Sequence, residues 1–167
     1  SQQQRVSWKT EQMITIGVQE GYGDDENIDG VIQAIEIWEE ELGYKLFDYV
    51  GVVTAEEAGD LDIKIFWVSD WDEANRTEQA KTLIKWRGDN IYSGSIAVNS
   101  EHHRFFVEEK QYKKVDLVAL MVHEIGHALG LAHIETHNSV MLPELATNYD
   151  QRRIPTDYDH ASISCEY

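Results

Sequence analysis

The stretch VHEIGHALGLAHIETHNSVM, residues 122–141, constrains this chain more than any other segment. It contains four of the seven histidines in the 167 residues. Three of them, His123, His127 and His133, are separated by four and then by six positions. Packing, a structural metal and a catalytic metal are three explanations of this spacing, and the residues around the histidines have to decide between them.

The first two histidines fall on a predicted helix. Apolar residues recur at helical spacing over residues 115–129, and Gly130 is well suited to end the helix. Residues four apart lie on the same helix face about one turn apart, so His123 and His127 can share one ion. Glu124 lies about 100° further round the helix, which places it near such an ion without binding it.

Three neutral imidazoles are typical of a zinc site that keeps a fourth position for water. Gly130 can take a left-handed conformation, which would turn the chain back and bring in His133 as the third ligand. Water on such a zinc has a pKa of about 7, so Glu124 can take its proton and return it to a leaving amine. Buried unpaired histidines would cost about 1–3 kcal/mol each, which disfavours simple packing.

The composition and net charge limit the classes of molecule that this protein is expected to bind. The formal net charge of −17 repels phosphate backbones and anionic lipid, so nucleic acid and membrane surfaces are excluded as expected partners. No apolar run approaches the ~18–20 residues that cross a bilayer. Acidic residues in predicted loops leave Ca²⁺ open as a second cofactor. These residues are Asp24, Asp25, Asp60, Asp70 and Asp72.

The rest of the chain predicts a single α+β domain over residues 1–167. Four predicted strands cover residues 13–18, 46–53, 61–68 and 91–100. A helix with Asp29 as its N-cap follows the first strand and ends near Leu42. Residues 69–90 carry no assignment, and a short helix is predicted after Pro155. The single cysteine, Cys165, is predicted to be a small buried side chain.

The segment HEIGHALGLAH, residues 123–133, resembles the extended signature of the metzincin clan of zinc peptidases at every defined position. NSVML resembles the clan's methionine-containing turn beneath the metal, with Met141 as the turn methionine. Matrixins are the most similar members, because Pro143 stands where astacins and serralysins carry a tyrosine. The resemblance implies a matrix-metalloprotease-like catalytic domain with a mixed twisted sheet, an upper subdomain of about residues 1–130 and a lower one of about 131–167.

The resemblance also implies a zinc-dependent endopeptidase with one catalytic Zn²⁺ and an extended substrate that adds a strand to the sheet. SGSIAVNSE, residues 93–101, is the predicted edge strand, with Ala97 beside the substrate backbone. Leu142 and Pro143 are predicted to begin the wall of the main pocket. A second, structural zinc is disfavoured, because residues 69–90 contain no histidine.

The partner that the resemblance implies is a protein or peptide substrate. It also suggests a pro-segment or an inhibitor protein, an exported location and a monomeric state, although the first ten residues show no signal pattern. Two alternatives stay open: a catalytically silent zinc-containing binding domain, and a zinc amidohydrolase acting on a non-peptide amide. Glu124 argues against the first, because a purely structural zinc needs no base beside it.

Overall fold

A computed structural model describes residues 4–135, 138–144 and 152–167. Five strands form one mixed sheet: β1 (Ile14–Gln19), β2 (Phe47–Val53), β3 (Ile63–Val68), β4 (Ala80–Arg87) and β5 (Asn90–Asn99). Two short strands, β6 (Phe105–Phe106) and β7 (Val115–Asp116), form a separate pair. The helices are α1 (Asp25–Leu42), α2 (Ala55–Ala58), α3 (Leu117–Ala128) and α4 (Asp157–Ile163), and a 3₁₀ turn covers Glu73–Asn75. The predicted α+β class is confirmed.

The strand order of the large sheet is β2-β1-β3-β5-β4. All neighbours run parallel except β4, which runs antiparallel to β5. The prediction that residues 93–101 form the sheet edge is wrong, because most of them belong to β5, which lies between β3 and β4. Ala97 pairs with Phe66 on one side and Lys81 on the other, so its backbone is already paired. The edge strand is β4, which lies within the segment that carried no assignment.

One face of the sheet packs on α1 and α3. Isoleucines and valines at alternate positions of the inner strands are fully buried there, as period-2 alternation requires. Trp38 of α1 is also fully buried, and its indole nitrogen donates to the carbonyl of Val122 in α3 at 2.9 Å. This bond ties α1 to the helix that carries the histidines.

The predicted N-cap Asp29 is wrong, because α1 begins one turn earlier. Asp24 is the N-cap and has an extended backbone, while Asp25 and Glu26 occupy the first turn. Carboxylates in the first turn are stabilised by the positive end of the helix dipole. The acidic stretch predicted to be a loop therefore begins the helix.

The helix α3 ends in a Schellman motif centred on Gly130. This glycine has a φ of 98°, and its amide donates to the carbonyl of His127 at 2.9 Å. The amide of Leu131 donates to the carbonyl of Gly126 at 3.0 Å. Because the motif reverses the chain, the residues after α3 pass back beneath the helix. The predicted helix, residues 115–129, is confirmed except that Val115–Asp116 form β7.

Trp8 and Tyr167 hold the C-terminal end of α3 by hydrogen bonds. The indole of Trp8 donates to the carbonyl of Ala128 at 2.9 Å. The hydroxyl of Tyr167 donates to the carbonyl of Leu129 at 2.9 Å and accepts from the amide of Trp8 at 3.0 Å. Burial raises the pKa of Tyr167 well above its usual value, so the hydroxyl keeps its proton.

Cys165 is exposed, so the prediction that it is buried is wrong. It lies just after α4, whose buried residues are Asp159 and Ile163, and its thiol donates to the carbonyl of Ala161 at 3.2 Å. Among the described residues, no helix combines the length and apolar character that crossing a membrane requires. The division into subdomains near residue 130 stays a prediction.

Candidate metal centre

The structure brings the three predicted histidines to one point. His123 and His127 lie one turn apart on α3, and the reversal at Gly130 places His133 opposite them. The ring centroids are 4.6, 4.7 and 5.3 Å apart. One nitrogen from each ring lies within 4.8 Å of the others, the one such group of His, Cys, Asp or Glu residues in the described ranges.

Backbone carbonyls fix the direction of two rings. Nδ1 of His123 donates to the carbonyl of Val140, and Nδ1 of His127 donates to the carbonyl of Leu131, both at 2.8 Å. A carbonyl oxygen only accepts, so each Nδ1 carries the proton and each neutral ring presents Nε2 as a lone pair. Partners of this kind are the usual support of metal-binding histidines.

The two lone pairs face each other, with the Nε2 atoms of His123 and His127 3.0 Å apart. Such an approach is repulsive without a cation. Zinc–nitrogen bonds of about 2.0–2.1 Å at a tetrahedral angle place two ligand nitrogens roughly 3.3 Å apart. The donor set and its spacing therefore fit a zinc ion.

Burial keeps two of the rings neutral. It lowers the pKa of His123 to about 4, with a further decrease from the neighbouring His127. Burial also lowers the pKa of His127. Because metal ligands must be deprotonated, these rings are ready to bind without releasing a proton at neutral pH.

Glu124 is buried beside the histidines. Burial raises the pKa of its carboxyl group to about 7, although a hydrogen bond from Thr82 acts in the opposite direction. The hydroxyl of Thr82 bonds to Oε2 of Glu124 and lies 3.2 Å from the carbonyl oxygen of the same residue. Sequence reasoning missed Thr82 because residues 69–90 carried no assignment and because the pairing of β4 with β5 cannot be read from the sequence. The signal that could have indicated a strand is the alternation of apolar and basic residues from Ile84 to Arg87.

Met141 lies fully buried directly beneath α3. A methyl group added to Gly126 would lie 2.5 Å from the sulfur of Met141 and 3.1 Å from the ring of Trp38. The carbonyl of Met141 accepts from the amide of Ile134 at 2.9 Å. The residue thus lies in a turn next to the histidine helix, and its role as the methionine of a metzincin turn stays a prediction.

A buried carboxylate supports this turn. Asp159 of α4 accepts from the hydroxyl of Ser139 at 2.5 Å and from the amide of Val140 at 3.2 Å. The same side chain accepts from the amide of Thr156 at 2.8 Å. Since the carbonyl of Val140 orients His123, Asp159 helps to hold that ring through one intervening residue.

A cleft of about 1020 Å³ opens in front of the histidines and extends along β4. Its lining includes Thr82, Ile84 and Trp86 of β4, and Leu120 and Pro143 on the opposite side.

The remaining predicted site residues have different outcomes. Pro143 belongs to the lining of the cleft, and Leu142 and Ala97 do not. The substrate-binding roles of Pro143 and Leu142 stay predictions. The pocket wall was predicted to continue beyond Leu142 and Pro143, but residues 145–151 lie outside the described residues. The acidic side chains suggested for Ca²⁺ form no such ligand group within the described part of the chain.

Three converging imidazoles, a buried carboxylate and an open cleft on an α+β fold define the class of metal-dependent hydrolases. A sequence profile of the matrixins, peptidase family M10, matches residues 7–167. The chain belongs to the matrixin family, whose members are zinc-dependent metallopeptidases that act on proteins. A search of curated proteins found no match to this chain.

The raised pKa of Glu124 predicts how pH changes the stability of the metal-free protein. Between pH 4.5 and about 7 the folded state keeps a proton that the unfolded state releases, so this stabilising contribution is lost as pH rises. Glu124→Gln removes the titration, so the variant should gain roughly 2–3 kcal/mol relative to wild type between pH 5 and pH 8. Urea unfolding of both proteins with a chelator present measures this gain. A stability difference that is independent of pH would contradict the buried, protonated carboxyl.

Proposed function

We propose that this protein is a zinc-dependent endopeptidase that hydrolyses peptide bonds of extended polypeptides. The observation that carries the proposal is the convergence of three imidazoles next to the buried Glu124, in a cleft along the free edge strand β4.

His123, His127 and His133 would hold the zinc through one ring nitrogen each, which is the donor set of a catalytic zinc site. When bound, zinc supplies a Lewis acid that polarises the scissile carbonyl and lowers the pKa of water to about 7. The carbonyls of Val140 and Leu131 keep the first two rings aimed at one point. Met141 would pack beneath this centre as an apolar support.

Glu124 would act as the general base and then as the general acid. A catalytic group works best with a pKa near the operating pH, and burial raises the pKa of this carboxyl to about 7. The carboxylate would take a proton from the attacking water and deliver it to the amine that leaves. Both transfers occur on the cleft side of α3, where the side chain already lies.

The substrate would bind as an added strand on β4. Among the described strands, β4 has one neighbour, β5, so its other edge has free amide and carbonyl groups. Backbone pairing of this kind gives affinity that does not depend on sequence, while alternate side chains meet the enzyme surface. Thr82 in the middle of β4 contacts Glu124, so a paired substrate would pass directly over the proposed base.

The alternatives fit these observations less well. A silent binding domain has no use for a buried carboxyl group with a pKa near neutrality, since burial of that group costs stability. A hydrolase of small amides has no use for a free edge strand along the cleft. Membership of the matrixin family is the ground on which we also propose that the protein is exported.

Glu124→Gln should keep the zinc and lose about 10²–10⁴-fold in the rate of casein cleavage, because the general base is removed while the histidines are untouched. Zinc content and cleavage are measured on the same samples. Glu40→Gln is the matched control and should keep the wild-type rate, because Glu40 is exposed on α1 and does not belong to the lining of the cleft. A Glu124→Gln variant that kept more than a tenth of the wild-type rate would remove Glu124 from this role.

A further inference from the structure

Strands β3, β5 and β4 differ in charge from the rest of the chain. The sequence has 31 acidic and 14 basic residues, yet these three adjacent strands contain no acidic residue. They carry the basic residues Lys64, Lys81, Lys85 and Arg87. This part of the sheet therefore carries local positive charge in a protein whose net charge is −17.

The basic residues of β4 lie on the outer face of the edge strand. Thr82 and Ile84 lie on the cleft side of β4, so strand alternation points the side chains of Lys81, Leu83 and Lys85 to the opposite face, where all three are exposed. Lys81 also belongs to the lining of the cleft. Within the described residues, neither lysine takes part in an ion pair. Two unpaired cations thus flank one exposed apolar side chain along the free edge.

A polypeptide paired with β4 would place every second side chain on this outer face. Directly opposed side chains in an antiparallel pair have Cβ atoms about 4.5–5.5 Å apart. Side chains opposite Lys81 and Lys85 are therefore within reach of an ion pair, while one opposite Leu83 meets an apolar surface. The intervening side chains enter the cleft beside Ile84 and Trp86.

We propose that the outer face of β4 selects substrate strands that carry two acidic side chains four residues apart, opposite Lys81 and Lys85. The inference rests on the proposed function and names the class of polypeptide that the site prefers. An acidic substrate is repelled by most of this protein's surface, so the preference is confined to the strand edge. The ion pairs between substrate carboxylates and these two lysines would be exposed to solvent, so salt weakens them.

Lysines on edge strands also have a structural explanation, because they discourage pairing between copies of a protein. That explanation predicts that replacing them promotes self-association and leaves substrate choice unchanged. The two explanations therefore differ in a measurable quantity, the dependence of cleavage on substrate charge.

The probe is a peptide identified by mass spectrometry among the products of casein cleavage and resynthesised with Glu, Gln or Lys at each position near the cleaved bond. For wild type we expect kcat/KM to be about fivefold to tenfold higher for Glu than for Lys at two positions four residues apart. The ratio should fall towards one at about 0.5 M salt, where the Debye length is only a few ångströms. Lys81→Glu and Lys85→Glu should each reverse the preference at one of the two positions.

Lys64→Glu is the matched control, since it makes the same charge change on the same sheet. Lys64 pairs with Ser95, which pairs with Leu83, so it lies two strands from the edge. The Lys64→Glu variant should have the same ratio of kcat/KM between the Glu and Lys peptides as wild type. Cleavage with no charge preference, or self-association of the Lys85→Glu protein without a change of preference, would overturn the inference and leave the proposed peptidase intact. Failure of wild type to cleave any peptide would instead remove the proposed function.

Thr82 of β4 makes two contacts with Glu124 of the neighbouring helix α3. Its hydroxyl reaches both the carboxylate and the backbone carbonyl of Glu124. A hydroxyl has one proton, which an ionised carboxylate attracts more strongly than a carbonyl does. One carboxylate oxygen is then held by Thr82, and the other is left for the proton transfer.

We infer that Thr82 is a positioning residue that fixes the carboxylate of Glu124 for catalysis. Thr82→Val keeps the shape of the side chain and removes the hydroxyl. This change should lower kcat about tenfold, the effect expected for one lost hydrogen bond to a charged group, with KM and zinc content unchanged. Thr82→Ser should restore kcat to within about twofold, because the hydroxyl returns.

A purely structural role would affect stability and zinc content and would not distinguish Ser from Val in kcat. The double variant provides a second check: when Glu124→Gln is already present, adding Thr82→Val should cause no further loss of kcat. Equal kcat for Ser and Val, or an equal loss in both backgrounds, would overturn the assignment.

Discussion

The reversal of the chain at Gly130 is the constraint on which the metal centre depends. Two histidines four residues apart on a helix share one face by helical geometry alone. The third histidine reaches them because the Schellman motif turns the chain within three residues of His127. Any other residue at position 130 would need the same left-handed backbone conformation, which L-amino acids rarely adopt. Its Cβ atom would also collide with the carbonyl oxygen of Val6. The fold therefore requires glycine at this position.

The rest of the molecule stabilises that reversal from several directions. Trp8 and Tyr167 bind the last carbonyls of α3, so residues near both termini fix the end of the helix. Asp159 holds the turn whose carbonyl orients His123. Met141 packs against Gly126, where the missing side chain lets the turn approach the helix. These contacts are remote in sequence, yet all of them act on α3 or on the turn beneath it.

The sequence predicted what depends on local spacing and missed what depends on sheet order. The helical repeat places His123 and His127 on one face, and Gly130 marks the point where the helix ends before His133. The clustering of the three histidines could therefore be predicted from the amino-acid sequence alone. The edge strand could not, because β4 is identified only when the pairing of β5 with both β3 and β4 is known. Strand order is a long-range property, and the error over Ala97 follows from it. Thr82 was missed for the same reason.

The most direct test of this metal centre is zinc K-edge X-ray absorption spectroscopy of the wild-type protein and of His133→Ala. In wild type we expect one zinc with three imidazole nitrogens and one further light atom at about 2.0–2.1 Å. The variant should lose one imidazole from this set. A closed site with four protein ligands, or a variant whose zinc keeps the same number of imidazoles as wild type, would contradict the central claim that the turn at Gly130 delivers the third ligand of an open metal centre.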